Sequence, residues 1–183
     1  GEVSDVKATG SVTNTSEGEV TNTIVYTAGT NFKASNYSIT KNEGKLSITA
    51  STEKVVVTIT GNKKNELYDG TEKTAKGYTV NTNNELYTEA DFKFSGKAEV
   101  NGTDADTYNM GLAANQFENA NSNFANVEFF VTDGELVINP RTVELTSESG
   151  SKPYDGTALT KPGVLVTGNG FVKEEGATYT VTG

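Results

Sequence analysis

With neither His nor Cys among its 183 residues, this chain is left with carboxylate, Lys, Tyr and hydroxyl chemistry. A Ser-His-Asp or Cys-His centre, a Cys/His zinc site and a disulfide are all excluded. Paired acids remain, such as Glu89 with Asp91 and Glu174 with Glu175, the residue types that serve a glycosidase as acid and nucleophile. No cleft of aromatic residues is evident beside them, so they read as solvated loop acids of an acidic chain. Asn101-Gly102-Thr103-Asp104-Ala105-Asp106 places oxygen donors at alternate positions, as a calcium loop does. The closing bidentate Glu and the full loop spacing are absent, so Asp104 and Asp106 read as turn residues and no metal site is assigned. Lys54, Lys93 and Lys97 lie in or beside strand-like runs. A Lys–Asn isopeptide crosslink would require one of them to be buried beside an Asn or Asp acceptor and a proton-shuttling carboxylate.

Tyr68-Asp69-Gly70 and Tyr154-Asp155-Gly156 are the features most open to being read as a site. A Tyr-Asp ligand contact is one reading. The structural reading is preferred, with Tyr anchored in a core and Asp-Gly forming a tight turn whose Gly takes positive φ. A binding triad would not be expected at the same place in every copy of a repeated unit.

Repetition is the strongest signal in the chain. Leu67-Tyr68-Asp69-Gly70-Thr71 returns as Pro153-Tyr154-Asp155-Gly156-Thr157, 86 positions on. Phe94-Ser95-Gly96 matches Ala8-Thr9-Gly10 and Val181-Thr182-Gly183 at offsets of 86 and 87. Glu43-Gly44-Lys45-Leu46-Ser47-Ile48 matches Asp133-Gly134-Glu135-Leu136-Val137-Ile138 at an offset of 90. A fixed period implies one structural unit copied in tandem. Residues 51–140 hold one full cycle, residues 1–50 the last part of a preceding unit, and residues 141–183 the first part of a following one. An alternative phase divides the chain into 1–90 and 91–183.

The elements that must carry these motifs are strands. Val55-Val56-Val57-Thr58-Ile59-Thr60 and Thr142-Val143-Glu144-Leu145-Thr146 are rich in β-branched residues, the second in alternation. Shorter strand-like runs are Thr23–Tyr26, Tyr37–Ile39, Leu46–Ile48, Phe92–Phe94, Val127–Val131, Leu136–Ile138 and Val164–Val166. Glu43-Gly44, Asn101-Gly102, Asp133-Gly134 and Asn169-Gly170 are turn signals between them. Phe129 to Ile138 reads as a hairpin about Asp133-Gly134, and Ile39 to Ile48 as its counterpart about Gly44. A single helical segment is expected, a turn or two from Leu112 to Phe117, stopped by Asn119, Asn121 and Asn123. The fold class is therefore mostly β, in small tandem modules of about 86–90 residues arranged end to end. Ile48 and Val55, and Ile138 and Val143, lie too close in sequence for floppy linkers.

Composition narrows the partners. A net charge of −9, with 15 scattered basic residues against 24 acidic ones, argues against nucleic acid and anionic membrane. No apolar run is long enough to span a bilayer, and no signal peptide is recognised, so a soluble excerpt is expected. The apolar fraction of 34% is thin for a globular domain. The eight Tyr and eight Phe fall mainly at strand positions and read as core, with Tyr78 and Tyr87 as candidates to stack on a sugar ring if exposed.

The ordered landmarks resemble the MBG or YDG tandem repeats of surface proteins from gut Firmicutes and Actinobacteria. The stretches concerned are Tyr68–Thr71, Glu85–Phe92, Thr107–Leu112, Asn123–Phe129 and Asp133–Ile138, with Lys152–Thr160 opening a further repeat and Ala34–Gly44 closing one. Residues 11–23 carry few landmarks. The resemblance implies β-rich units, a β-grasp-like form among them, acting as adhesin or stalk modules with no catalytic activity and no cofactor. The expected role is mechanical: a structural stalk at an extracellular, Gram-positive cell surface, partnered by neighbouring repeats. Two alternatives remain open. One is a filament subunit completed by strand addition from other copies of itself; the other is an adhesive module for host glycan or mucin.

Overall fold

Short strands account for nearly all the regular structure in a computed structural model that describes residues 3–178. The first third contains β1 (Val3–Ala8), β2 (Val20–Asn22), β3 (Ile24–Ala28) and β4 (Gly44–Leu46). The middle contains β5 (Val55–Gly61), β6 (Lys63–Leu67), β7 (Lys73–Lys76), β8 (Tyr78–Thr82), β9 (Phe92–Phe94), β10 (Glu99–Gly102), β11 (Thr107–Asn109) and β12 (Phe117–Asn119). β13 (Val127–Thr132), β14 (Glu135–Asn139), β15 (Val143–Ser147) and β16 (Val164–Gly168) follow. Four 3₁₀ turns of three residues each are the only helical elements among the described residues. The fold is thus mostly β, as the β-branched runs predict. The landmark Val181-Thr182-Gly183 lies outside the described residues.

The strands form several small sheets. β5 lies between β13 and β8, and β14 between β11 and β6. Two-stranded sheets pair β1 with β3, β2 with β4, β7 with β10, β9 with β12, and β15 with β16. The β14–β6 pair is parallel, with Glu135 opposite Lys63 and Asn139 opposite Leu67.

Two compact units interleave along the chain. The first comprises residues 1–57, 82–94 and 117–129. Its interior is aromatic: the Phe92, Phe117 and Phe129 rings pack with centroids 5.5–5.9 Å apart, and Phe94 stacks on Phe117. Tyr87 meets Phe124 edge-on at 5.2 Å. Val55 and Val57 are fully buried within it. The second unit comprises residues 58–81, 95–116 and 130–183, with Ile59, Ala75, Met110, Leu112, Leu136 and Ile138 as its buried apolar residues. All buried apolar side chains among the described residues fall between Val55 and Ile138.

Both hairpins expected from the sequence are replaced by other pairings. β13 joins β5, whereas β14 joins β11 and β6, so Asp133-Gly134 does not reverse the chain between paired neighbours. Gly134 serves close approach instead. A Cβ on Gly61 would lie 2.2 Å from the Gly134 nitrogen, and one on Gly134 would lie 2.6 Å from the Asn62 carbonyl oxygen and 2.5 Å from Met110 Sδ. Only two facing glycines let these backbones approach so closely. The Asp133 carboxylate accepts hydrogen bonds from the Gly111, Leu112 and Gly134 amides, pinning the loop that carries Met110. In the other copy β4 pairs with β2, and Ile39 lies in no strand. Asn101-Gly102 is likewise no turn. Gly102 ends β10, and a Cβ there would strike the Tyr108 ring at 2.3 Å. The expected short helical segment is present as a 3₁₀ turn at Ala114–Gln116, flanked by buried Leu112 and Phe117.

Candidate functional site

The two Tyr-Asp-Gly segments build the same small loop. Gly70 and Gly156 take φ of 77° and 78°, the left-handed region where a Cβ is penalised. Asp69 Oδ1 accepts from the Thr71 amide at 2.9 Å and the Thr71 hydroxyl at 2.6 Å, while Lys73 donates to Oδ2 at 2.6 Å. Asp155 Oδ1 accepts from the Thr157 amide at 3.0 Å and hydroxyl at 2.7 Å, and Lys152 donates to Oδ2 at 3.1 Å. The cation comes from the strand after the first loop, as Lys73, and from two residues before the second Tyr, as Lys152, so the contact is kept while its donor changes sides. The ammonium, hydroxyl and amide together hold the Asp69 carboxyl far below the usual aspartate range, and the same three donors lower Asp155. Both carboxylates are thus turned inward on their own loops.

The tyrosines depart from expectation. Neither is anchored in the core: Tyr68 is half-buried and Tyr154 is 97% exposed. The Tyr68 hydroxyl donates to Glu175 at 2.6 Å. That bond, with burial and the Glu175 charge, pushes the phenol up to about 12. Tyr68 also borders a groove of about 280 Å³ with largely apolar walls, shared with Pro140, Val143, Phe171, Val172 and Glu175. Gly70 packs under the same edge, where an added Cβ would come within 3.2 Å of Val172 and 3.3 Å of Glu175.

Arg141, the only arginine in the chain, holds this corner together. Its guanidinium donates to the carbonyls of Gly170 at 2.8 Å, Tyr68 at 3.3 Å and Asn169. The fork geometry of arginine allows three carbonyls to be gathered by one side chain. Asn169 completes the corner: its Oδ1 accepts from the Thr142 amide and hydroxyl, and its own amide donates to the Thr142 carbonyl at 2.8 Å. Sequence reasoning passed over Arg141, although its being the chain's only guanidinium was a usable signal.

A second polar cluster uses residues read from sequence only as helix stops. Asn119 Oδ1 accepts from the Tyr87 hydroxyl at 2.9 Å and from the Asn121 amide at 3.1 Å. Asn119 Nδ2 donates to the Asn121 and Phe124 carbonyls. Asn121 Nδ2 donates to Asp91 at 2.7 Å, and Asn121 Oδ1 accepts from the Asn123 amide. Asn123 Oδ1 accepts from the Thr15 amide and hydroxyl. Tyr87 is 1% exposed, so it cannot stack on a sugar; burial, aided by the Asp91 charge, pushes its phenol up to about 12. Burial raises the Asp91 carboxyl, but hydrogen bonds from Thr88 and Asn121 outweigh it and the net displacement is downward. Asp91 caps its own 3₁₀ turn through the Thr88 amide and hydroxyl, and so is committed to structure.

The remaining candidates are dispersed. Asp106 accepts from the adjacent Thr107 amide, and the Asp104 carbonyl accepts from the Tyr108 hydroxyl. Among the described residues no group of three or more potential metal-ligating side chains converges. Glu174 pairs with Lys173 at 3.9 Å, whereas Glu175 binds Tyr68, so the two acids do not act as a couple. Lys54 pairs with Glu128, Lys97 with Glu99, and both lysines are exposed, as is Lys93. The buried setting that an isopeptide bond requires is absent at all three. No described helix is long and apolar enough to cross a membrane. Comparison with protein-family models, curated proteins and solved structures finds no match.

Proposed function

We infer that this chain is a non-catalytic, extracellular repeat module, a structural stalk or spacer of a bacterial surface adhesin. The observation carrying this reading is the recurrence of one loop 86 residues apart, with Asp, Thr and Lys bonded to one another in both copies. A carboxylate whose acceptor sites are taken by its own loop supports a turn, and a turn repeated at fixed spacing serves architecture. The resemblance to MBG or YDG repeats supports the adhesin setting and the cell-surface location. Short joints between strands of successive repeats favour a fixed relative orientation over a floppy one.

The test is dimensional. Two copies of the 183-residue chain fused head to tail, examined by small-angle X-ray scattering, should give a maximum dimension near twice that of one copy. A fused pair that collapses to a compact particle would overturn the stalk reading.

A further inference from the structure

The sequence holds two Asn-Gly pairs, Asn101-Gly102 and Asn169-Gly170, and the fold treats them oppositely. In any Asn-Gly pair the Gly amide nitrogen can attack the Asn side-chain Cγ, because the new bond closes an unstrained five-membered imide. Two torsions of the Asn, ψ and χ1, decide whether the atoms meet, and Gly adds no Cβ to obstruct them. A fold can add donors for the charge that develops and can hold or release the reacting groups.

Asn169 is exposed in the turn that follows β16. Its Oδ1 accepts from the Thr142 amide at 3.1 Å and the Thr142 hydroxyl at 2.9 Å. Negative charge develops on that oxygen when Cγ is attacked, so both donors stabilise the intermediate. Thr142 is seated by Gly168, where an added Cβ would lie 2.7 Å from the Thr142 carbonyl oxygen. Arg141 donates to the Asn169 main-chain carbonyl, which belongs to the same amide as the Gly170 nitrogen. A cation on that oxygen favours the deprotonated amide and so sharpens the nucleophile. Arg141 Nε also holds the Gly170 carbonyl at 2.8 Å, which grips the reacting segment on its far side. The groups that ring closure consumes are the Gly170 N–H and Asn169 Nδ2, and neither bonds to anything among the described residues. A Cβ on Gly170 would meet open space. Every engaged oxygen survives the reaction as a carbonyl, so the clamp built by Arg141 and Thr142 fits the product as well as the reactant.

Asn101 is set the other way. It lies within β10, where it is opposite Thr74 and Gly102 is opposite Lys73. Gly102 is buried, with the Tyr108 ring 2.3 Å from where its Cβ would be. The ladder fixes the Asn101 ψ in the extended range, and among the described residues no donor reaches its side-chain oxygen.

We propose that Asn169-Gly170 is a modification site, at which the fold promotes spontaneous succinimide formation. The Gly170 nitrogen loses its proton to solvent and bonds to Asn169 Cγ. The Cγ–Nδ2 bond then breaks, and the nitrogen takes one proton back from solvent to leave as ammonia. No oxidant or co-reactant enters. The imide locks ψ at position 169 and stiffens the turn until water opens it at either carbonyl, leaving aspartate or isoaspartate there.

The test compares the folded chain with the same chain in urea at one neutral pH, followed by peptide mass mapping of both Asn-Gly pairs. Loss of one ammonia, or exchange of the amide for an acid, marks reaction. In urea the two pairs should react at similar rates. Folding should speed position 169 by about tenfold and slow position 101. A rate at 169 no faster in the folded chain than in urea would overturn the proposal. Thr142→Val, which removes the hydroxyl, and Arg141→Lys, which removes the fork, should each slow the folded reaction at 169. Continued protection of Asn101 shows that the variant is folded. An unchanged rate at 169 in both variants would overturn the roles given to these donors.

Discussion

Ile59 and Leu145 occupy the same repeat position 86 residues apart, and the structure gives them opposite fates. Ile59→Ala removes three buried carbons where nothing can flow in. Transfer at ~0.8 kcal/mol per methylene, with a cavity contribution added, gives a loss of about 3 kcal/mol. Leu145 is already about half in water and leaves no cavity, so Leu145→Ala should cost roughly 1 kcal/mol or less. Urea unfolding of the dilute protein is the assay, followed by circular dichroism or tyrosine fluorescence because the chain has no Trp. With a denaturant slope of ~2 kcal/mol/M, Ile59→Ala should lower the midpoint by about 1.5 M and Leu145→Ala by about 0.5 M at most. Equal shifts would refute the reasoning. They would mean that Leu145 on β15 is packed as fully as Ile59 on β5, against their different exposures.

Four further outcomes follow from the geometry. Gly134→Ala should destabilise by about 3 kcal/mol in the same unfolding assay, because the added methyl meets the Asn62 carbonyl and Met110 together; a neutral result would show that β6 and β14 can part cheaply. In a carboxyl NMR titration Asp69 should stay ionised well below the usual aspartate range, and Lys73→Met should return it toward that range. Its folded-state pKa is depressed, so its contribution to stability is complete above the ordinary aspartate value and is lost as pH falls toward the folded value; titration of Asp69 at the ordinary value would contradict the loop. Tyr87 and Tyr68 are raised from 10.0 to about 12, so their contribution is complete below pH 10 and lost as pH climbs toward 12. Ultraviolet titration should show two late phenols, one removed by Tyr87→Phe; if none ionises late, the burial and the Glu175 bond are wrong. Arg141→Lys should speed hydrogen exchange of the Asn169 amide, since a point-like ammonium cannot gather three carbonyls; unchanged exchange would assign the corner to Asn169 alone.

Much of the local structure was legible because it depends on local chemistry. Val55 to Thr60, Phe92 to Phe94 and Val127 to Val131 form strands because β-branched and aromatic side chains suit an extended, half-buried backbone. Asp-Gly-Thr folds into the same turn at residues 69 and 155 because the Asp side chain reaches the backbone two residues on. Asp133-Gly134 misled for the converse reason. The pair is a turn signal in isolation, but the nearness of Gly61 sets a demand for a missing Cβ that no local window contains. The ladder of Asn119, Asn121 and Asn123 was visible only as polar spacing, because its partners Tyr87, Asp91 and Thr15 come from distant segments.

From the sequence alone come the period, the β class and the exclusion of His and Cys chemistry, since these follow from composition and from spacing along one dimension. Tertiary structure alone decides which strands pair, which tyrosine is buried, and which copy of a repeated position faces water. Those outcomes depend on segments tens of residues apart competing for the same backbone hydrogen bonds. Tyr87 and Tyr154 are chemically alike, and Ile59 and Leu145 nearly so; what separates them is which distant segments pack against them, Phe124 and Asn119 on Tyr87 and the strands β13 and β8 beside β5 for Ile59.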